Sequence, residues 1–404
     1  GSGGSPRRWS KDSSTSSPDG PDVRKPRLAI NAYDRLRTAR TSWRAKRKIR
    51  RIVTYEQLPH DVQARTVVSS RRIHAGRYFT HRSPFAEPTE LKFSTENLYL
   101  SVLQDVLVHS YYGFARTVEN WILEDTAIRR PPIEAKLRDG ALLRPTRVLM
   151  VDRPVINLEC GPKNAGFYAF WVDSLSKLLW LNEPEVAESG PKLLVHSRPL
   201  ATWQQELLRS ALPPGVDLLR VDRDVLVRTP QYLDLPPSRG ALLDPPHLAR
   251  VRSWSQAIGE ATQRTTVPIR IYVSRRRARR RRLLNDQDVA GMLERRGFST
   301  IVLEDLPMRT QIDHFAGAEV IVAQHGAGLT HLLHAQPGTR VLEIQSARPD
   351  TQSDGFRRLA GPLGLRYSNV YCGAPEPRFA DAVAPLDEVS ARLDQLLDND
   401  RADT

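Results

Sequence analysis

The sequence predicts an α/β protein built as two domains behind a basic tail, and three observations carry that expectation. A chain of 404 residues exceeds one ordinary hydrophobic core and divides into two domains of usual size. In its second half, short apolar runs alternate with amphipathic stretches, the rhythm of a parallel sheet covered by helices on both faces. With 40% hydrophobic residues there is material for real cores. No uncharged apolar run reaches the roughly 18 residues that a bilayer span needs, so a soluble protein is expected.

Taken in order, Gly1–Ser5 (GSGGS) reads as a fusion scar outside the fold, and Pro6 to Lys25 holds too few apolar residues to repay ordering. Arg35–Arg51 (RLRTARTSWRAKRKIRR) reads as a solvated basic helix or a patch for anionic lipid headgroups. Residues 1–50 together are expected to form a basic, largely disordered tail. The N-terminal domain is placed at 51–240. Its clearest elements are strands at Arg147–Val151 and Lys192–Val195, a helix at Thr202–Leu212, and a helix at Phe167–Leu181 (FYAFWVDSLSKLLWL). The last is apolar at nearly every turn, so it is expected to be buried on more than one side. Pro-rich Leu235–His247 marks the connection. The C-terminal domain, 250–380, reads as strand Ile269–Val273, helix Asp286–Arg296, strand Thr300–Leu303, helix Met308–Ala316, strand Glu319–Ala323, helix Leu329–Ala335 and strand Arg340–Ile344. Ligands of such sheets sit at the carboxyl ends of the strands. Residues 381–404 hold a last helix, Leu386–Leu397, and a tail.

A formal charge of +14 points to anionic partners, be they nucleic acid, phosphate-bearing substrates or acidic lipid. Arginine far outnumbers lysine, which suits bidentate capture of phosphate and equally suits a GC-rich genome. Cys160 and Cys372 lie far apart without metal-ligand spacing, and no apolar signal segment is visible. A cytoplasmic location is the expectation.

Three features fall at predicted strand ends. Ser274 is followed by Arg275–Arg282, eight residues of which seven are arginine. A charge run is usually a solvated loop, yet the carboxyl end of a parallel strand is where an anion sits. Gln324-His325-Gly326-Ala327-Gly328 lies between a strand and a helix. There glycines permit close approach and free helix amides attract a pyrophosphate, while His325 donates to phosphate or takes a proton. Glu343, at the end of its strand, either accepts from ribose hydroxyls or pairs with an arginine. Asn285 precedes the helix at Asp286, as an N-cap does.

From Ile271 to Ile344 the order of these features resembles glycosyltransferase family 61: Ser-Arg after the strand, Arg281-Arg282 ahead of Leu-Leu-Asn, Gly297-Phe298, the Gln311 helix, His325-Gly326-Ala327-Gly328, Pro337-Gly338 and Glu343. The resemblance covers the last third of the chain well and the first half loosely. It implies a GT-B architecture, two Rossmann-like domains facing across a cleft with a nucleotide-sugar, foremost a UDP-sugar, in the C-terminal one. It also implies inverting transfer of a hexosyl or pentosyl group to a glycan acceptor. On the resemblance, Ser274, Arg275, Arg281, Arg282, Asn285, His325, Gly326, Ala327, Gly328 and Glu343 hold the donor. Where the family places a His four residues before an Asp, the Asp matches Asp173 and the His position is Ala169. That histidine's role is therefore missing or moved.

Physical reasoning divides the labour in the same way. Negative charge grows on the diphosphate as the sugar leaves, and preorganised amides with Arg275, Arg281 and Arg282 stabilise it without a metal. An acceptor hydroxyl must lose a proton. Asp173, a carboxylate inside an apolar helix, and His325 are the candidates; a buried ion pair is the structural alternative for Asp173. Asp222-Arg223-Asp224 resembles a metal-binding Asp-x-Asp, but a further apolar run follows it, and neither a metal nor another cofactor is expected. The acceptor foreseen is a bacterial surface or capsular polysaccharide, with the basic tail as a peripheral membrane contact. The rival readings are a basic nucleic-acid-binding protein and a transferase relic that binds ligand without turnover. No nucleic-acid partner is expected, and the oligomeric state is left open.

Overall fold

The computed structural model describes residues 51–74, 78–82, 90–94, 98–123, 126, 147–159, 166–236, 245–258, 267–345, 355–372 and 381–398. The basic segment at 1–50, Cys160, much of the Pro-rich connection and the C-terminal tail lie outside the described residues, and with them the readings made for those segments. The described residues form part of one compact unit, 40–404, and the fold is mixed α/β.

The first part of the unit builds a mixed ten-stranded sheet. It begins with β1 (Arg51–Val53), α1 (His60–Thr66), β2 (Val67–His74), the separate hairpin β3 (Tyr78–Arg82) and β4 (Glu90–Ser94), and the long β5 (Leu98–His109). Next come β6 (Ala115–Thr117), β7 (Trp121–Leu123), β8 (Val148–Met150) and β9 (Val155–Asn157). The helical run α2 (167–182) and the short α3 (Pro184–Ala187) precede β10 (Lys192–His196), α4 (Thr202–Ala211), β11 (Val216–Arg220) and β12 (Leu226–Asp234). Antiparallel β5 and β12 run from Leu226 opposite His109 to Asp234 opposite Ser101. On the far side, β9, β10 and β11 are parallel. The ladder skips Asp105 and Pro230, since a proline has no N–H to donate. Asp105 takes a left-handed φ of 46°, and Arg228 clamps its carboxylate with bonds of 3.0 and 3.1 Å.

After α5 (Pro245–Ser255), the second part alternates strictly: β13 (Arg270–Val273), α6 (Asp286–Glu294), β14 (Ser299–Ile301), α7 (Met308–Gly317), β15 (Val320–Gln324), α8 (Ala327–His334), β16 (Arg340–Gln345), α9 (Gly355–Ala360), β17 (Arg366–Tyr371) and α10 (Leu386–Asp398). All pairings are parallel, and the sheet runs β14-β13-β15-β16-β17. Side chains alternate across it. Tyr272, Val320, Val322, Leu342 and Ile344 pack on α6 and α10, while Ile271, Val273, Ile321, Ala323 and Val341 face α7, α8 and α9. Chain order reverses between β13 and β15, the switch point at which open parallel sheets leave a crevice outside their carboxyl ends.

α2 joins the two sheets. Phe170, Trp171, Val172, Leu175, Leu178 and Leu179 are all buried in a core cluster that continues into the C-terminal sheet. Its hydrogen bonding widens to π geometry over Phe170–Ser174 and then tightens to 3-10 geometry over Leu175–Asn182. Ser176 Oγ donates to the Val172 carbonyl at 2.6 Å, drawing that group away from the helix ladder. Phe167 stands 4.8 Å from the His331 ring, and Trp171 makes an edge contact with His334 at 5.3 Å.

Candidate functional site

The site grows from β13 and β15, the two strands flanking the switch point. β13 ends in Tyr272, Val273 and Ser274. The Tyr272 hydroxyl donates to Asp286 Oδ1 at 2.5 Å and Ser274 Oγ to Asp286 Oδ2 at 2.7 Å, pinning the loop to the first turn of α6. Burial, followed by the Asp286 charge, holds the Tyr272 hydroxyl far above its ordinary pKa, so it stays a donor. Ser274 Oγ also accepts from the Arg276 amide at 3.2 Å, which turns the arginine loop. Ser274 is thus an organiser of the loop and lines the pocket as well.

The seven arginines separate by environment. Arg275 is half-buried, and its Nε is buried with no hydrogen-bond partner among the described residues. Burial, then the neighbouring Arg281 charge, pushes the Arg275 guanidinium below its ordinary range, while Glu304 pulls the other way. A cation in that position is stabilised by an added anion. Arg281 has a left-handed φ of 55°, and its carbonyl accepts from Gln324 Nε2. Arg282 is tied down elsewhere: its guanidinium reaches Asp381 at 2.7 Å, and its backbone amide donates to the same carboxylate at 2.8 Å. Arg277 pairs with Asp305 at 2.6 Å, and Arg276, Arg279 and Arg280 are exposed.

The glycines are required by close approach of the protein's own side chains. A Cβ at Gly326 would overlap Nη1 of Arg275 and stand 2.6 Å from its Cζ. One at Gly328 would meet Leu303 Cδ1 at 2.6 Å. With φ of 174°, Gly326 is extended, so absence of a side chain is what matters there. The turn therefore seats a guanidinium at the carboxyl edge of the sheet.

Beside it lies a pocket of about 260 Å³. Arg275, Gln324, Ala327 and Gly328 form its sheet-edge wall, Leu303 and Met308 an apolar wall, and Phe167 of α2 closes one side. Gln324 is 2% exposed, and its Oε1 is buried without a partner among the described residues. His331 also lines the pocket. Its Nε2 meets Gln311 Oε1 at 2.9 Å, and because Gln311 Nε2 already donates to the Leu303 and Leu306 carbonyls, His331 Nε2 is the donor. Burial holds His331 well below its ordinary pKa, so the ring is neutral and Nδ1 is an acceptor, also without a partner among the described residues. His331, Leu303 and Phe167 went unmarked in the sequence, since no motif distinguishes a pocket wall from a core, and Gln311 and Gln324 lay within quoted motifs without being given a role.

His325 follows Gln324 but is outside the pocket wall. Its amide donates to the Ile344 carbonyl at 2.8 Å, and its ring lies edge-on to Phe356 at 5.4 Å. Nδ1 sits 2.6 Å from Glu343 Oε1. Glu343 is 1% exposed, and its Oε2 accepts from Gln345 Nε2 at 2.8 Å and from the Tyr367 hydroxyl. The arginine pairing read for Glu343 is replaced by a pairing with His325. Asn285 has the N-cap position of α6 without a capping bond from its side chain. Instead its amide holds Ala384 from both sides, at 2.9 and 2.8 Å, anchoring the segment that leads into α10. Asp173 is 3% exposed in the π-turn of α2 and does not line the pocket. Among the described residues no group of three or more His, Cys, Asp or Glu is placed to hold a metal. Asp222 is exposed, 3.7 Å from Arg147. No helix among the described residues is long and apolar enough to cross a membrane.

Comparison with known proteins adds two findings. Residues 145–342 match the family model Glycosyltransferase 61. A stretch of 92 residues is 30% identical to a Beta-1,2-xylosyltransferase of Arabidopsis thaliana, covering 23% of this chain and 17% of the length of that relative.

Proposed function

From the premise that residues 145–342 make this chain a member of glycosyltransferase family 61, we propose that it moves a sugar from a nucleoside-diphosphate donor to a glycan hydroxyl with inversion. In this reading the two sheets are the halves of a GT-B enzyme, the parallel one holding the donor and the mixed one facing the acceptor. One observation carries the proposal. At the switch point between β13 and β15, a half-buried guanidinium lies against a glycine that exists to admit it, beside a pocket with an apolar wall. Such a crevice takes a base or sugar on the apolar side and a diphosphate on the cationic side.

Arg275, with Arg281 behind it, neutralises the charge that grows on the leaving diphosphate, and the Gly326–Gly328 turn adds backbone amides, so that no metal is required. Arg282 and Asn285 act at one remove by fixing the loop through Asp381 and Ala384. Either Asp173 or His325 takes the proton of the acceptor. The xylosyltransferase likeness supports a pentosyl donor such as UDP-xylose as the first to test. A bacterial surface polysaccharide remains the acceptor we favour, reached from the cytoplasm with the basic N-terminal segment against anionic lipid.

The test is a thermal-shift screen with uridine, guanosine, cytidine and thymidine diphosphates. Selective stabilisation by one, reaching about 2.7 kcal/mol at a hundredfold excess over Kd, is expected. No stabilisation by any of the four would remove the donor site. The exposed Arg276, Arg279 and Arg280 support a second reading, binding to a polyanion such as nucleic acid. Tight, steeply salt-dependent binding of a random oligonucleotide, unaffected by Arg275→Ala, would favour that reading. A relic would bind nucleotide and leave UDP-sugars unhydrolysed.

A further inference from the structure

We infer that His325 is the proton acceptor of the transfer and that Glu343 is the residue that positions it, an inference that rests on the donor site proposed above. Between the two candidates the surroundings differ. Neither lines the pocket, but Asp173 is sealed in α2 at 3% exposure, whereas the His325 side chain keeps 16% of its surface open next to the pocket-lining Gln324 and Ala327.

The hydrogen bonds around Glu343 fix which nitrogen of His325 is available. Tyr367 is held far above its ordinary pKa by burial and then by the charge of Glu343, so its hydroxyl stays a donor. Gln345 Nε2 donates to the same Oε2. With Oε2 receiving two donors, Oε1 accepts from the nitrogen 2.6 Å away, so His325 carries its proton on Nδ1. Nε2 is left as a lone pair. Three donors occupy most of the lone pairs of a carboxylate only 1% exposed, which favours a positioning role for Glu343 over contact with a ribose hydroxyl.

In the transfer, the acceptor oxygen forms its bond to the anomeric carbon as its proton passes to His325 Nε2. The bond from the anomeric carbon to the phosphate oxygen breaks, and its electron pair stays on the diphosphate. The imidazolium that results is stabilised by Glu343, the role a carboxylate has behind the histidine of hydrolytic triads.

Glu343→Gln tests this with little change of shape. Facing Tyr367 and Gln345, the amide turns its oxygen toward those two donors and its NH₂ toward His325 Nδ1. The histidine then keeps its proton on Nε2, where it cannot accept another. The experiment is ¹⁵N NMR of histidine-labelled full-length protein, assigned by loss of signal in His325→Asn, combined with UDP titration and UDP-xylose hydrolysis. Expected are an Nδ1–H tautomer in the wild type, an Nε2–H tautomer in Glu343→Gln, unchanged UDP affinity, and kcat lower by about 10²–10⁴-fold with KM preserved. An Nε2–H tautomer in the wild type overturns the inference, and that spectrum decides even if the variant does not fold or UDP-xylose is not turned over. Unaltered kcat in a variant with the switched tautomer also overturns it. Weaker UDP binding with kcat intact restores Glu343 to the ribose. Failure of UDP to bind the wild type, with Nδ1–H observed, strikes the donor site and leaves the Glu343–His325 pairing standing.

Discussion

The two sheets both gather polar side chains at the carboxyl ends of their parallel strands, and they differ in whether those groups satisfy one another. Beyond β9 and β10, Asn157, Lys177, Glu159 and Ser197 do. Asn157 Nδ2 donates to the His109 and Ser110 carbonyls at 3.0 and 3.2 Å, and its Oδ1 accepts from the Glu159 amide at 2.8 Å. Lys177, 1% exposed, donates to the Asn157 and Glu159 carbonyls at 2.8 and 3.0 Å. Glu159 accepts from the amide and hydroxyl of Ser197 at 2.9 and 3.0 Å. Beyond β13 and β15, Arg275 Nε, Gln324 Oε1 and His331 Nδ1 are buried around one pocket with no partner among the described residues. Each such atom costs on the order of 1–3 kcal/mol, a cost that a ligand supplying the bond removes. Asn157, Lys177, Glu159 and Ser197 form a network that holds the first sheet together; in the donor reading proposed above, the second group is where a ligand supplies the missing bonds.

Mutations can break or sharpen that contrast. The largest effect belongs to the joint between the sheets. Trp171→Ala empties a fully buried site on α2 and should cost about 3–5 kcal/mol in chemical denaturation; a loss under 1 kcal/mol would mean that α2 is not a shared core. Next come the buried histidines. Burial holds His109 down to about 4 and His334 down to about 3, and His331 is also lowered. Folded pKa values below the unfolded one mean that stability is fully present above about pH 6.5. It is lost on acidification, since the unfolded chain binds protons that the folded one refuses. Each histidine should contribute a slope of about 1.4 kcal/mol per pH unit below that point. His334→Gln should flatten the acid limb of the melting curve, and an unchanged limb would contradict the burial.

Smaller effects address the donor side. Gly326→Ala should displace the Arg275 guanidinium and weaken UDP binding about tenfold, with a modest stability change from overpacking of about 1–3 kcal/mol. Gly328→Ala should do less, since the Leu303 side chain can swing away. Arg282→Ala should alter UDP affinity least of all, because that guanidinium is half exposed and occupied by Asp381. Loss of UDP binding in Arg282→Ala alone would show that the loop rearranges around ligand.

The C-terminal sheet was legible from sequence because its strands are short apolar runs buried on both faces and separated by amphipathic helices. The observed β13, β15 and β16 start or end within a residue of the expected bounds. β17 escaped notice, since buried Ser368 and Asn369 interrupt its apolar run. In the N-terminal part the expected β8, β10, α2 and α4 are present, while β12 and the strands before β8 were not read from the sequence. Pro230 sits inside β12, which demotes a strand on sequence grounds, yet the ladder keeps its register on both sides of the skipped Pro230–Asp105 position, where Asp105 takes a left-handed φ of 46°. That Arg275 and the glycine turn meet at the carboxyl edge of the sheet was readable from their positions after strands. The His325–Glu343 pair was not, because it depends on the register that sets Ala323 beside Glu343 across a parallel pair. The separate fates of Arg275 and Arg282 depend on Asp381, about a hundred residues away in the chain.

The most direct measurement is calorimetric titration of UDP into three proteins: wild type, Arg275→Ala and Asn157→Ala. The account predicts that Arg275→Ala loses about 10²-fold in affinity with its melting temperature unmoved, while Asn157→Ala melts earlier and binds UDP as the wild type does. Equal UDP affinity in wild type and Arg275→Ala, or loss of binding confined to Asn157→Ala, would contradict it.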